Sequence, residues 1–506
     1  GVATFAHGII ADGDMQVGHG LGGQNSCTAV GTAALDASLS NTPRTTAIGI
    51  NALGALNSPC VDNTAVGNSS LDALTGHPAA VVGNANTAIG SYSLSTVVDG
   101  SGNCALGYKA LGDGDCADYN TAVGNQALKV FTGSDATVIG SGAADALTGA
   151  SSPNGAGIVA IGKNALGVAV NQSYCTAVGW ESLDAATSGD NNTALGANAL
   201  GATVDSSNNT AVGGAALGAA DCGNDNVAVG YLTLAAFTGT KATAVGTGAL
   251  SVAVGQTFNT AVGYNSLVSA TSGNFNTAVG ASSLATVNGT KCTAVGTYAI
   301  NANCDDNCTA VGYAALNNAT GADNTAVGKD ALTAFTGSNA VAVGSGAASV
   351  AGSQTNLTAI GKGALLAATS GNDNTACGYL ALSTTVNGHS NTAVGTTALG
   401  GRDCGDSNTS IGKDSLYYYT GTNATAVGAN AADAATTATQ LTAIGKDAAG
   451  AVTAATDVTA IGFQSLKAVT TTTLGGYCTA VGSYAGLNAI RQHNTAIGSN
   501  AALNLG

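Results

Sequence analysis

Apolar and polar positions in this chain follow one short cycle. A run of Asn-Thr-Ala-Val-Gly, or a close variant, ends at Gly31, Gly49, Gly67, Gly90, Gly107, Gly124, Gly140 and onward to Gly482 and Gly498. The motif occurs 28 times, and 22 of its 27 intervals are 16 or 17 residues long. The position before the Gly is Val or Ile in 25 copies, the one before that is Ala in 26, and the next is Thr in 24. Short β-branched runs that end in Gly predict strands. A unit this short cannot bury a face alone, so its copies must stack strand on strand. The pattern therefore predicts an all-β fold, a parallel β-solenoid (β-roll) of about 28 rungs with one 16 or 17 residue repeat per rung. At about 4.8 Å per rung, such a stack extends on the order of 130 Å. Longer intervals, such as Ser141 to Ile161, should loop out between equivalent rungs.

Two columns carry the interior. Leu, Ile or a small residue stands four places after each motif Gly and forms a core column. Asn stands four places before it in 14 copies, among them Asn63, Asn120, Asn192, Asn209, Asn259, Asn276, Asn324, Asn374, Asn391 and Asn494. Stacked in register, these side chains are expected to form an amide ladder to the rungs above and below. A longer period of 84 residues separates Gly179 from Gly263 and Gly361 from Gly445. Within it, Phe131, Phe237, Phe335 and Tyr419 accompany Ala136, Ala242, Ala340 and Ala424 in the Asn column. Each ring is expected to fill the volume an Asn would have taken.

Composition sharpens this picture. Only 8% of the 506 residues are charged, and acids outnumber bases 28 to 13 for a net charge of −15. That balance excludes an electrostatic footprint for nucleic acid or anionic lipid. No apolar run approaches the roughly 20 residues of a membrane-spanning helix, so membrane insertion by a helix is excluded too. None of the four residues before any motif Gly is charged. Alternation along a strand puts Thr and Val on one face and Asn, Ala and Gly on the other. An uncharged outer face implies either a covering layer, as in a homotrimer or bundled fibre, or an exposed flat array with a purpose such as ice binding.

The residue after the motif Gly is often long: Tyr108, Trp180, Tyr231, Tyr264, Tyr313 and Tyr379 in some rungs, and Lys163, Lys329, Lys362, Lys413 and Lys446 in others. This outward corner is read either as solubilising cover or as a stripe that binds a cell-surface glycan or protein.

The string Thr-Ala-Val-Gly-x-x-Ala, as at Thr121 to Ala127 or Thr392 to Ala398, resembles the head repeat of YadA-like trimeric autotransporter adhesins, and similar repeats occur in phage and virus tail fibres. The resemblance spans Cys27 to Gly506. It implies a left-handed roll, a trimer and an extracellular fibre or adhesin on a cell or virion surface, without enzymatic activity. The repeat here is somewhat longer than the family's. Segment 1–23 reads as an N-terminal cap or docking piece and 24–506 as one array. Because the repeat continues almost to Gly506, head-to-tail docking of subunits into a filament is expected.

Cofactors are not expected. Cys292, Cys304 and Cys308 form the candidate disulfide or thiol ladder, since adjacent rungs bring like columns within disulfide range. None of the five His lies near a Cys pair at zinc-ligand spacing. Acidic turns at Asp12 and Asp14, Asp113 and Asp115, Asp221 and Asp225, Asp305 and Asp306, and Asp403 and Asp406 could offer Ca²⁺ oxygen ligands, but they match no calcium-binding loop pattern and read as solvated turns. Arg44, Arg402 and Arg491 and the five His are scattered along the repeat, which argues against a catalytic cluster.

Overall fold

The computed structural model describes residues 9–11, 15–18, 27–35, 44–55, 60–74, 83–148, 157–219, 221–269, 272–286, 288–302, 304–350, 352–454, 456–468, 477–488 and 493–503. Segment 1–8 and the acidic pair Asp12 and Asp14 lie outside the described residues. The fold is an all-β parallel solenoid with a repeat of about 17 residues, and no helix occurs among the described residues.

The chain divides into two compact units, Gly1–Phe258 and Asn259–Gly506. The first carries 13 rung strands, from Thr28–Val30 to Thr243–Val245, and the second 15, from Thr260–Val262 to Thr495–Ile497. Together these account for the 28 motif copies. Stacking is in register, like residue on like residue: Thr176, Ala177 and Val178 pair with Thr193, Ala194 and Leu195, which pair in turn with Thr210, Ala211 and Val212. In the second unit Thr375, Ala376 and Cys377 pair with Thr392, Ala393 and Val394. The long interval after Gly140 leaves the register intact, since Ile158–Ile161 pairs directly with Ala136–Ile139. Ahead of the first rung, Ile9–Ala11 and Met15–Gly18 form an antiparallel hairpin, and the second of these strands pairs antiparallel with Thr28–Val30.

Ala at the strand centre is buried in nearly every rung, and Thr and Val on either side of it are half-buried or exposed. The predicted facing therefore holds. The motif Gly then turns the chain at φ near +135°, for example +141° at Gly179 and +136° at Gly395. A Cβ on Gly179 would sit 2.4 Å from the carbonyl oxygen of Gly196 in the next rung. At this corner the rungs touch backbone to backbone, so the residue must be glycine for space as well as for φ.

After the Gly, two residues with side chains take the left-handed conformation, such as Gln126 (φ +57°) and Leu128 (φ +53°). For an L-residue this costs on the order of 1 kcal/mol. Inter-rung bonding offsets that strain. The alternating turn aims successive N–H groups along the stacking axis, so Gln126 N–H donates to Tyr108 O at 2.8 Å and Leu128 N–H to Ala143 O at 2.9 Å. The ladder thus runs around the corner, and the core Leu column follows it inward with Leu111, Leu128, Leu200, Leu316 and Leu399 all fully buried.

The Asn column is buried as expected, but its bonding differs from an amide-to-amide stack. Each Asn side chain serves the backbone of the next rung. Asn374 Oδ1 accepts Asn391 N–H at 2.9 Å, and Asn374 Nδ2 donates to Gly388 O at 2.7 Å. Asn391 repeats this toward Asn408 N–H and Gly405 O, both at 2.9 Å. In the first unit Asn192 accepts from Asn209 N–H at 3.0 Å, and Asn209 accepts from Asn226 N–H at 2.9 Å. Asn63, Asn120, Asn259, Asn276 and Asn324 bond forward in the same sense. Asn494 is half-buried, and its main-chain carbonyl accepts Thr479 N–H at 2.9 Å. The cause is local. The residue before each Asn has positive φ, 57° at Ser390 and 57° at Ser407, which turns the following N–H inward and away from the strand ladder. A buried N–H needs an acceptor, and the Asn of the neighbouring rung supplies it.

The rings expected to replace Asn volume are in place, and Phe131, Phe237, Phe335 and Tyr419 are wholly buried. Tyr419 also replaces Asn chemistry. Its hydroxyl lies within hydrogen-bond reach of Thr422 O and Ala438 O, and Ala438 O is the counterpart of the carbonyl that an Asn at position 424 would bond.

Candidate functional site

The broadest feature is the outer face of the stacked strands. Its two columns are Thr and Val or Ile, and in the described rungs neither contains a charged residue. Thr is mostly half-buried, while Ile89, Leu106, Ile139, Leu195, Ile360 and Ile411 are each about 40% exposed or more. Cys104 and Cys377 stand in this face at a Thr and a Val position. Parallel in-register stacking makes the face periodic, with like side chains repeating at about the 4.8 Å rung spacing.

Beside this face runs the corner of long side chains. Tyr108, Trp180, Tyr231, Tyr264, Tyr313 and Tyr379 are all exposed. Within each unit they stand three or four rungs apart, about 14 to 19 Å, so the structure does not bring them into one platform. Partners come instead from the next position in a neighbouring rung. Tyr92 meets Tyr108 edge-on with ring centres 6.4 Å apart, and Tyr298 meets Tyr313 likewise at 6.1 Å. Lys329 and Lys413 in the same column pair with the following Asp330 and Asp414 at 3.5 and 3.4 Å. A second aromatic column escaped the sequence reading: Tyr119, Tyr174, Phe275 and Tyr477 precede the Asn-column residue, where positive φ throws them outward, and all are exposed. Their one sequence signal was position, immediately before the Asn column.

The acidic turns have an architectural use. Asp115 accepts Val98 N–H at 2.8 Å, Asp118 accepts Ser101 N–H at 2.7 Å, and Asp221 accepts Val204 N–H at 2.9 Å. In the second unit Asp306, Asp403 and Asp406 accept N–H from Thr290, Val386 and His389. Each carboxylate caps a donor one rung back, forming exposed counterparts of the Asn ladder. Open hollows of 340 Å³ and 270 Å³ lie beside Asp115 and Asp118 and beside Asp403 and Asp406. Among the described residues, no three carboxylates converge at metal-ligand distance.

Four other Asp side chains, Asp72, Asp145, Asp184 and Asp433, share the column following the core Leu or Ala. Burial raises each above the ordinary carboxylate range, and Glu181 and Asp145 add repulsion at Asp184. Asp447 has the opposite shift: burial works against its charge, but hydrogen bonds from Asn430, Gln464 and Lys467 outweigh it and lower the value. At these four raised groups the folded chain holds more protons than the unfolded chain from about pH 3.8 upward to the raised values, so their contribution to stability grows as pH falls through that window. The melting temperature at pH 4.5 should equal or exceed that at pH 7, and a fall of several degrees on acidification would contradict this.

The described His and Arg residues are dispersed. Arg44 pairs with Asp62 at 2.6 Å, Arg402 stacks over Tyr418, His389 Nδ1 accepts Asn372 N–H, and His493 stacks on Tyr477.

One group of reactive side chains does converge. Cys292 and Cys308 occupy the Asn column in adjacent rungs, and Cys304 enters from the turn between them. All three are buried free thiols, their sulfurs lie within 4.8 Å of one another, and Cys292 Sγ is 3.6 Å from Cys304 Sγ. The ladder of thiols read from the sequence is therefore a triangle, with Cys292 and Cys304 in direct contact. A Cys in the Asn column keeps half of the Asn role: Cys292 Sγ reaches Asp305 O and Cys308 Sγ reaches Gly321 O, both at 3.3 Å. Thiol contacts from Cys304 and Cys308 lower Cys292 to about 4, while the contact with Cys292 raises both Cys304 and Cys308.

Compared with protein-family models and with curated proteins, the chain matches none.

Proposed function

We propose that this protein is a non-enzymatic structural element that assembles with copies of itself through the Thr/Val face into an extracellular fibre. One observation carries this reading: an in-register, half-buried to exposed strand face without a single charge, on a chain of net charge −15. Charge has been kept off the one surface where two copies would meet, so like-charge repulsion does not oppose their contact. In the second unit alone, 15 rungs of three residues present about 700 Å², close to the roughly 800 Å² per partner of a stable interface. A solenoid suits the role because each rung adds length and backbone ladder together.

Sedimentation analysis and electron microscopy test this. The wild-type chain should form dimers, trimers or filaments at micromolar concentration. The triple variant Val311→Lys, Val343→Lys and Val394→Lys, with one charge every two or three rungs on that face, should be monomeric with an unchanged far-ultraviolet spectrum. A monomeric wild type would end the proposal.

A second reading rests on the same columns. Regularly spaced Thr side chains on a periodic face could order water, and a monomeric chain showing thermal hysteresis would favour ice binding. The aromatic corner supports adhesion less well, because its rings stand three or four rungs apart, singly or in isolated pairs, and form no continuous platform.

A further inference from the structure

The convergence of Cys292, Cys304 and Cys308 calls for an explanation that stacking alone does not give. Cys116, Cys222 and Cys404 occupy the same turn column as Cys304, and two of them meet hydroxyl groups: Cys222 with Thr203 and Ser206, and Cys404 with Thr385. Only at Cys304 are the Asn-column positions of both adjoining rungs also Cys. Substituting one Asn by Cys retains a donor to the next turn. Substituting two in adjacent rungs around a third Cys creates a sulfur-lined site.

We propose that these three thiols form a closed binding site for a single soft d¹⁰ metal ion. Soft cations with filled d shells are the partners that thiolates select. With metal–sulfur distances of about 2.3 Å, three sulfurs around one ion stand about 3.8 to 4.0 Å apart. The Cys292–Cys304 separation of 3.6 Å and the 4.8 Å limit on the triangle bracket that value, so the ion requires only small side-chain shifts. All three residues have zero exposure, so neither bulk solvent nor a substrate reaches an ion held there, and the site is structural, not catalytic. Binding of a divalent ion M²⁺ by the three sulfurs yields M(S-Cys)₃⁻ and releases one proton for each that was still a thiol. The ion would join three segments of two successive rungs at a point where the Asn ladder is interrupted.

The test uses the full chain, reduced with a phosphine and freed of metal, then titrated to equilibrium with Cd²⁺. An ultraviolet thiolate-to-metal charge-transfer band should grow and saturate at one ion per chain. Time-resolved alkylation with peptide mapping should show the slow rates at Cys292, Cys304 and Cys308 falling together when Cd²⁺ is bound, with exposed Cys104 unaffected. Cys304→Ser should abolish the band, and Cys104→Ser should retain it. The mapping needs no variant, so the outcome stands even if Cys304→Ser fails to fold. Absence of a saturating band with no change in alkylation would overturn the site. So would a wild-type chain that, isolated without reductant, carries a Cys292–Cys304 or Cys292–Cys308 disulfide and takes up no Cd²⁺ after reduction.

Discussion

Replacing Gly395 by alanine should separate the rungs that meet there and destabilise the surrounding array by about 4 kcal/mol or more. Two independent effects contribute. The backbone at this residue has φ of +136°, which side chains other than hydrogen rarely tolerate. The new methyl group would also lie 2.6 Å from both the carbonyl carbon and the oxygen of Gly412, and backbone cannot rotate aside as a side chain can. The only relief is to move one rung away from the next, which stretches Gly412 N–H from Val394 O, now 2.7 Å apart. Each rung of a solenoid contacts only its neighbours, so damage should stay local. Limited proteolysis should cut the variant near residues 395 to 412, and thermal melting should show an early transition. Thr396→Ala, exposed and one residue along, should melt like the wild type.

That glycine explains why so much of the fold was legible. A rung can lie flat on its neighbour only where the same residue recurs at the same place, so contact between rungs forces sequence periodicity, and the strands, their register and the buried Ala follow from it. The direction of the Asn bonds did not follow. It depends on the left-handed residue before each Asn, and that position accepts Tyr119, Asn191, Ser390 and Ser407 alike. No residue type marks it. The same degeneracy hid the outward aromatic column and the left-handed core Leu, whose strain is offset by inter-rung bonds that no local pattern announces. The thiol triangle was half visible. Cys292 and Cys308 share a column, but Cys304 meets them only because the turn before Cys308 folds inward over the rung below.

The outer face shows how the same period serves two purposes. Ala at the strand centre recurs in a buried column that admits only an uncharged small or apolar side chain, Val138 and Ser410 being its other members, whereas Thr and Val recur on a side where, in a single chain, many residues would fit. Packing of one chain explains the first constraint and leaves the second to whatever meets the face. This separates the interior, already accounted for by stacking, from the surface on which the proposed assembly rests.

The interior makes a second large prediction at Asn324. Its Oδ1 accepts Ala340 N–H at 3.0 Å, and its Nδ2 donates to Gly337 O and Gly321 O, each at 2.9 Å. The next residue in the column is Ala340, which has no amide to take over. Asn324→Ala should therefore remove the acceptor of one buried N–H and the donor to Gly337 O. At about 1–3 kcal/mol for each of the two buried groups left unsatisfied, the loss should be about 2 to 6 kcal/mol. Asn324→Asp separates the two roles. At pH 7 the carboxylate would still accept from Ala340 N–H, but it would face two carbonyl oxygens with negative charge inside the core, so this variant should be less stable than Asn324→Ala. Protonation converts the same side chain into an acceptor and a donor of nearly amide shape. Its folded-state pKa must then lie above the unfolded value, and stability is gained as pH falls through that range. Melting curves of the two variants should cross between pH 7 and pH 4, with Asn324→Asp recovering toward the wild type and Asn324→Ala showing no comparable gain. Parallel curves would mean that the Asn column fills space without carrying the bonds between rungs.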